Sequence, residues 1–212
     1  RLNKEDPNIK FIEQYFAIYN LLGLLNSSVG NLDISEKYYS KSLELITKRV
    51  GSKNDYLIYT KSALVDVLNQ KKLFSKAQQL NEECINEIKD LYGENSLFLV
   101  SRLNSKAKIL IDMGKYQKAE EISLIAQNIV NKKTKNGIKY IYSNTGQLTF
   151  SVLDHLITIS NLAFIYNSLG DFLKSEDYYL KALDLFKNDE YLSSDKVLFA
   201  KTLNNLGSLY ID

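Results

Sequence analysis

A stretch of this chain returns four times along its length, and that self-similarity constrains the fold more than any other feature. Leu22-Gly23 followed by Gly30 comes back as Leu162-Ala163 followed by Gly170. The separation of 140 residues persists through Ser35-Glu36 and Ser175-Glu176, Tyr38-Tyr39 and Tyr178-Tyr179, and Lys41-Ser42-Leu43 and Lys181-Ala182-Leu183. Two intervening copies fill the gap. Ser35, Ala77 and Ala119 step by 42, as do Ser42, Cys84 and Ala126. The step from Ala119 to Ser175 is 56, one period plus an insertion of 14. A further copy opens at Asn205-Leu206-Gly207, 44 residues after Asn161-Leu162-Ala163.

Each copy reads as two helices. The first carries apolar residues at helical spacing, as in Tyr15, Ile18, Tyr19, Leu22 and Leu25. It stops near Gly30, Gly114 or Gly170, where glycine can take the left-handed conformation that ends a helix. The second copy has Lys72 at that place, which predicts a costlier or altered turn. A second helix follows, such as Ile34 to Arg49. One position of every first helix is small (Gly23, Ala107, Ala163, Gly207), with Val65 the bulkiest exception. Small side chains at fixed places let helix axes approach. A single pair cannot bury its apolar stripe, whereas stacked neighbours can. The expected architecture is therefore all-α, an α-solenoid of antiparallel helix pairs in one domain, 1–212. Its copies fall at about 13–54, 55–96, 97–150 (with the insertion at about 131–150), 151–196 and a partial 197–212. The insertion reads either as a continued helix or as a loop. Asn81 and Ser123 replace the second-helix aromatic of the outer copies, and Lys106 replaces a leucine, so looser packing is expected around the third copy.

The pattern resembles the tetratricopeptide repeat family, in its 42-residue kinesin-light-chain-like variety. Leu203-Asn204-Asn205-Leu206-Gly207-Ser208-Leu209-Tyr210 carries the resemblance most closely. Asn161-Leu162-Ala163, Tyr166, Gly170, Ser175-Glu176 and Ala182-Leu183 repeat it, and the turns at Gly51-Ser52-Lys53-Asn54-Asp55 and Gly93-Glu94-Asn95-Ser96 match in place. The resemblance implies a superhelix whose concave face, lined by the first helices, holds a peptide segment of a partner. Carried across by register, that face takes Ala17, Asn20, Leu24 and Ser27 from the first copy and Tyr59, Ser62, Asp66 and Asn69 from the second. The third contributes Ser101, Asn104, Lys108 and Ile111, and the fourth Ile157, Ser160, Phe164 and Asn167. Lys201, Asn204 and Ser208 follow from the fifth. Asparagine both donates and accepts, so a row of them suits a peptide backbone. Some tetratricopeptide domains clamp a chaperone's C-terminal carboxylate with basic residues. The matching positions here are Asn20, Leu24, Ala63, Ser101 and Ser105, which lack the cations such a clamp needs.

The rest of the sequence is read for chemistry. There is one histidine and one cysteine, His155 and Cys84, two copies apart, so a Cys-His pair is not expected. Cys84 sits at the small-residue position of Ser42, Ala126 and Ala182 and reads as packing. His155 reads as a surface residue. No metal-ligand spacing, phosphate loop or dinucleotide fingerprint occurs, so no catalytic residue, metal or cofactor is expected. Glu82-Glu83 and Glu120-Glu121 read as solvated faces, and Tyr39 and Tyr179 as core aromatics rather than stacking platforms for bases. A net charge of +2 argues against a nucleic-acid partner, and no apolar run approaches the length of a membrane span. The single cysteine suits a reducing, intracellular and cytoplasmic setting. The expected function is a protein-interaction scaffold or adaptor. A regulatory or substrate-recruiting arm of an enzyme is the alternative, and self-association through the open C-terminal copy is a further expectation.

Overall fold

Helix follows helix because breakers are scarce: proline occurs once in 212 residues. The computed structural model describes residues 7–50, 55–133 and 150–211, with the side chains of 14–48, 55–133, 150–189 and 192–211. The first copy forms α1 (Pro7–Ser28) and α2 (Leu32–Val50), and the second forms α3 (Asp55–Gln70) and α4 (Phe74–Tyr92). The third forms α5 (Phe98–Asp112) and α6 (Tyr116–Lys133), and the fourth forms α7 (Val152–Ser168) and α8 (Phe172–Asn188). A short helix absent from the repeat pattern, α9 (Glu190–Ser194), precedes α10 (Lys196–Ser208), the first helix of the fifth copy. Most of the insertion, 134–149, lies outside the described residues. The chain divides into two compact units, an N-terminal one holding α1 to α4 as far as Leu91 and a C-terminal one holding Tyr92 and α5 to α10.

The turn inside each pair obeys one geometry. Gly30, Lys72, Gly114 and Gly170 have φ of 81°, 61°, 71° and 80°. In each case the next residue's N–H reaches back five residues to a carbonyl: Asn31 to Asn26 at 2.8 Å, Leu73 to Leu68 at 2.9 Å, Lys115 to Leu110 at 2.8 Å and Asp171 to Tyr166 at 2.9 Å. These bonds satisfy carbonyls that a helix end otherwise leaves orphaned. Lys72 therefore keeps the turn and bears its strain. Lys72→Gly is expected to raise stability by about 1 kcal/mol, read as a higher urea midpoint at unchanged slope.

The small-residue positions also acquire physical meaning. Tyr39 of α2 lies over Gly23 of α1 so closely that an added Cβ would stand 2.8 Å from its ring. Tyr179 and Ala163 take the same places in α8 and α7 and belong to one cluster with Leu206. The second copy has Val65 and Asn81 there, and the third Ala107 and Ser123, all buried. Bulk lost from the second helix is thus matched, in the second copy, by bulk gained on the first. Ser35 Oγ donates to the Gly23 carbonyl at 2.7 Å, and Ser175 Oγ to that of Ala163 at 2.8 Å, tying each second helix to the backbone where the first is thinnest. Alanine at 77 and 119 forgoes that bond. Ala107, Ala119 and Ala126 of the third copy are fully buried, and the buried Ser123 Oγ has no hydrogen-bond partner.

The same register position differs in exposure from copy to copy. Leu57, Thr60 and Val67 of the second copy are buried, as are His155, Thr158 and Ile165 of the fourth. Their counterparts in the first copy, Tyr15, Ile18 and Leu25, are each half or more exposed. In the fifth copy Leu203 and Tyr210 are exposed where the fourth copy buries Ile159 and Tyr166. Among the described residues no helix is long and apolar enough to cross a membrane.

Candidate binding face

The residues singled out from the sequence separate into two sets. Two register positions one heptad apart stay open along the first helices. Leu24, Asp66, Lys108 and Phe164 are exposed at one, while Ala17, Tyr59 and Ile157 are exposed and Ser101 half-buried at the other. Within the N-terminal unit, α1 and α3 present these positions. Within the C-terminal unit, α5, α7 and α10 do, the last with Lys201, Asn204 and Ser208 exposed. Tyr59 and Phe164, 41% and 42% exposed, are large apolar groups left facing water. Lys108 is paired with Asp112 at 2.5 Å.

The position between them is different. Asn20 is buried, and its Nδ2 donates to Thr60 Oγ1 at 2.9 Å, joining α1 to α3. Asn104, 4% exposed, does the same in the C-terminal unit. Its Nδ2 donates to the Asp154 carbonyl at 2.8 Å and its Oδ1 accepts from Thr158 Oγ1 at 2.9 Å, joining α5 to α7. Ser62 is buried and donates to the Ile58 carbonyl of its own helix at 2.6 Å. Three residues beyond the second open position Asn69 is buried and Asn167 half-buried, while Ser160, at the intermediate position, is half-buried. Asparagine at this register thus links successive first helices. No residue pattern within one copy reveals this, because each bond has its partner in the next copy. Asn104→Ala is expected to destabilise the C-terminal unit by about 1 kcal/mol in chemical denaturation, since it removes both hydrogen bonds by which Asn104 joins α5 to α7.

His155 is not a surface residue. Its place near the start of α7 suggested one, but it is 8% exposed, and burial pushes its pKa down to about 4. Its register places it among positions that pack inward in the second and fourth copies, a signal that was available from Leu57. Cys84 is fully buried, as its register predicts. Tyr39 and Tyr179 are likewise core residues, and burial drives the Tyr39 phenol up to about 12, helped by the nearby Tyr59 and Asp66. Glu83 is more than a solvated carboxylate: with Glu87 it holds Lys61 at 3.1 and 2.7 Å. Burial works against the Lys61 cation, yet the two carboxylates outweigh it and leave the pKa raised. Among the described residues no group of three or more His, Cys, Asp or Glu side chains could hold a metal ion.

The family profile described as "Tetratricopeptide repeat" matches residues 16–48 and 158–189, the first and fourth copies. The chain carries tetratricopeptide repeats. The match begins inside α1 or α7 and runs through the paired second helix, so the repeat turns at Gly30 and Gly170 lie within it. The structure is similar to that of BtubC (BKLC) from P. vanneervenii, with a TM-score of 0.65 and 22% identity over 87% of this chain and 66% of that one. It is also similar to a protein of Podosopora anserina assigned as a kinesin light chain with nearly identical TPR-like repeats, with a TM-score of 0.63 and 10% identity over 93% of this chain and 96% of that one. A curated relative, the uncharacterized protein ycf37 of Pyropia yezoensis, is 29% identical over 94 residues. The chain spans about half the length of that relative, matching over 53% of it. At these identities the structural likeness bears on the fold: an all-α tetratricopeptide-repeat architecture, shared with kinesin-light-chain repeats.

Proposed function

We propose that residues 1–212 act as one protein-interaction scaffold whose tetratricopeptide first helices hold a peptide segment of a partner protein. Tetratricopeptide repeats are, in general, non-catalytic interaction modules, and this reading follows that use. One observation carries it: the same two register positions of successive first helices stay exposed, and in both units large apolar side chains stand there, Leu24 and Tyr59 in one, Ile157 and Phe164 in the other. Exposed apolar groups that recur at fixed register are the mark of a contact surface, whereas scattered ones are not. The asparagines contribute differently from the expectation. Asn20 and Asn104 hold the first helices in register, and Asn167 and Asn204 remain available to a peptide backbone.

A displayed random-peptide library selected against the protein tests this. Enriched peptides are expected to lose about tenfold in affinity, or about 1.4 kcal/mol, in Tyr59→Ala or Phe164→Ala. Lys187→Ala, on the exposed side of α8, should leave them unchanged. Retention of binding by both first-helix variants, with the fold intact, would sink the proposal.

A further inference from the structure

The C-terminal unit contains a cavity of about 340 Å³ bounded by α6, α7 and α8. That is the lower end of the range for small-molecule sites and large enough for one aromatic ring with its substituent. Gln127 and Asn131 line it from α6, His155 and Ile159 from α7, and Tyr178 and Leu185 from α8.

The second copy shows how this place is built when nothing needs to enter. Lys61, Glu83 and Glu87 stand 98 residues before Ile159, Lys181 and Leu185, at the same register. The Lys61 side chain, 14% exposed, lies there between two carboxylates, and Leu57 stands at the register of His155, buried in a cluster with Phe16 and Ile46. In the fourth copy a shorter Ile159 replaces the lysine, and a polar imidazole replaces the leucine. The His155 Nδ1 is buried without a hydrogen-bond partner. A buried polar atom left unbonded is costly, and the imidazole stands there all the same, as a residue of the cavity wall.

The lining also defines what could enter. Its fixed charges are already matched: Lys181 binds Asp177 at 2.6 Å and lies 4.7 Å from the centre of the Tyr178 ring, and Asp184 binds Lys187 at 3.2 Å. An ion would meet no free counter-charge and would lose its hydration. What remains is the aliphatic surface of Ile159 and Leu185, the part of the Tyr178 ring not covered by Tyr166, which stacks on it at 5.5 Å, or by Lys181, and the imidazole, while the amides of Gln127 and Asn131 bond each other at 3.0 Å. Such a surface suits a ligand with an apolar planar body and one uncharged hydrogen-bonding end.

We propose that this cavity binds a neutral aromatic ring bearing a hydroxyl or N–H group, the ring against Ile159, Leu185 and Tyr178 and the polar end hydrogen-bonded to His155. A tyrosine or tryptophan side chain of a protein and a free phenol or indole share this chemistry. The site uses none of the exposed first-helix positions assigned to peptide binding, so either reading can fail without the other.

Fluorine NMR of 4-fluorophenol titrated with the protein tests the proposal. Saturable broadening is expected, with a dissociation constant on the order of 1 mM. Because His155 is the chain's one histidine, its ring C–H signals should shift along the same isotherm. Two variants copy the second copy's solution: His155→Leu, and Ile159→Lys combined with Leu185→Glu. Each should weaken binding at least about tenfold at unchanged helix content. If the double variant does not fold, His155→Leu decides alone. Displacement of the probe by N-acetyl-tyrosinamide would assign the site to a protein side chain. Displacement by p-cresol without N-acetyl-tyrosinamide would assign it to a free small ring. Absence of saturation, unchanged binding by His155→Leu, or equal displacement by acetate or methylammonium would overturn it.

Discussion

Gly23→Val is expected to destabilise the N-terminal unit by about 2–3 kcal/mol, and Tyr39→Asn by about 3 kcal/mol, yet the two together should cost clearly less than their sum. A Cβ at position 23 would stand 2.8 to 2.9 Å from three ring atoms of Tyr39, and that ring is buried and has nowhere to retreat. Removing the ring instead leaves a cavity. The second copy holds a valine and an asparagine at these two places, both buried, so the double variant reproduces a packing the protein already uses. Ala163 in one cluster with Tyr179 shows that the fourth copy accommodates one methyl at this position, which is why valine is the informative substitution. Urea denaturation of the four proteins gives the coupling energy, expected at about 1–2 kcal/mol in favour of the pair. Additivity within about 0.5 kcal/mol would mean that bulk is not exchanged between the paired helices.

Acid should weaken the C-terminal unit well before its carboxylates titrate, and His155 should be the cause. The imidazole has a folded pKa of about 4 against an ordinary 6.5, because burial disfavours the cation. The unfolded chain therefore binds the proton first. Stability is complete above about pH 6.5, declines as the pH falls, and has lost this contribution entirely below the folded value. The loss amounts to about 2 kcal/mol by pH 5 and about 3 kcal/mol by pH 4. Lys181 and Asp184 line the adjoining cavity, and Asp154 precedes His155 on α7, so the measurement must isolate the imidazole. His155→Leu does so: its unfolding free energy should lack this decline while keeping the part owed to the carboxylates. Parallel pH profiles for the two proteins between pH 7 and 5 would contradict the assignment.

Most of the fold was legible because it is periodic. Glycine at 30, 114 and 170 marked three turns, and register alone placed Lys72 in a fourth, where the structure finds the same left-handed geometry. Cys84, Tyr39 and Tyr179 were assigned to the core from the residues that replace them in other copies, and all three are buried. The short α9 was not legible, since it belongs to no copy and has no register to inherit. The binding face was half legible. Periodicity identifies which residues share a helix face, but cannot tell a side chain that meets solvent from one that meets the next copy. Asn20 and Leu24 lie on the same stripe of α1, yet one is bonded to Thr60 and the other is 54% exposed.

The sequence by itself therefore determined the helix pairs, their turns and the positions that pack, because these depend on local backbone conformation and on a pattern that repeats every 42 residues. Only the tertiary structure decided which asparagines link the copies and that His155 is buried beside a cavity. Those outcomes depend on distances between helices, and no single copy contains both partners of a contact made with its neighbour.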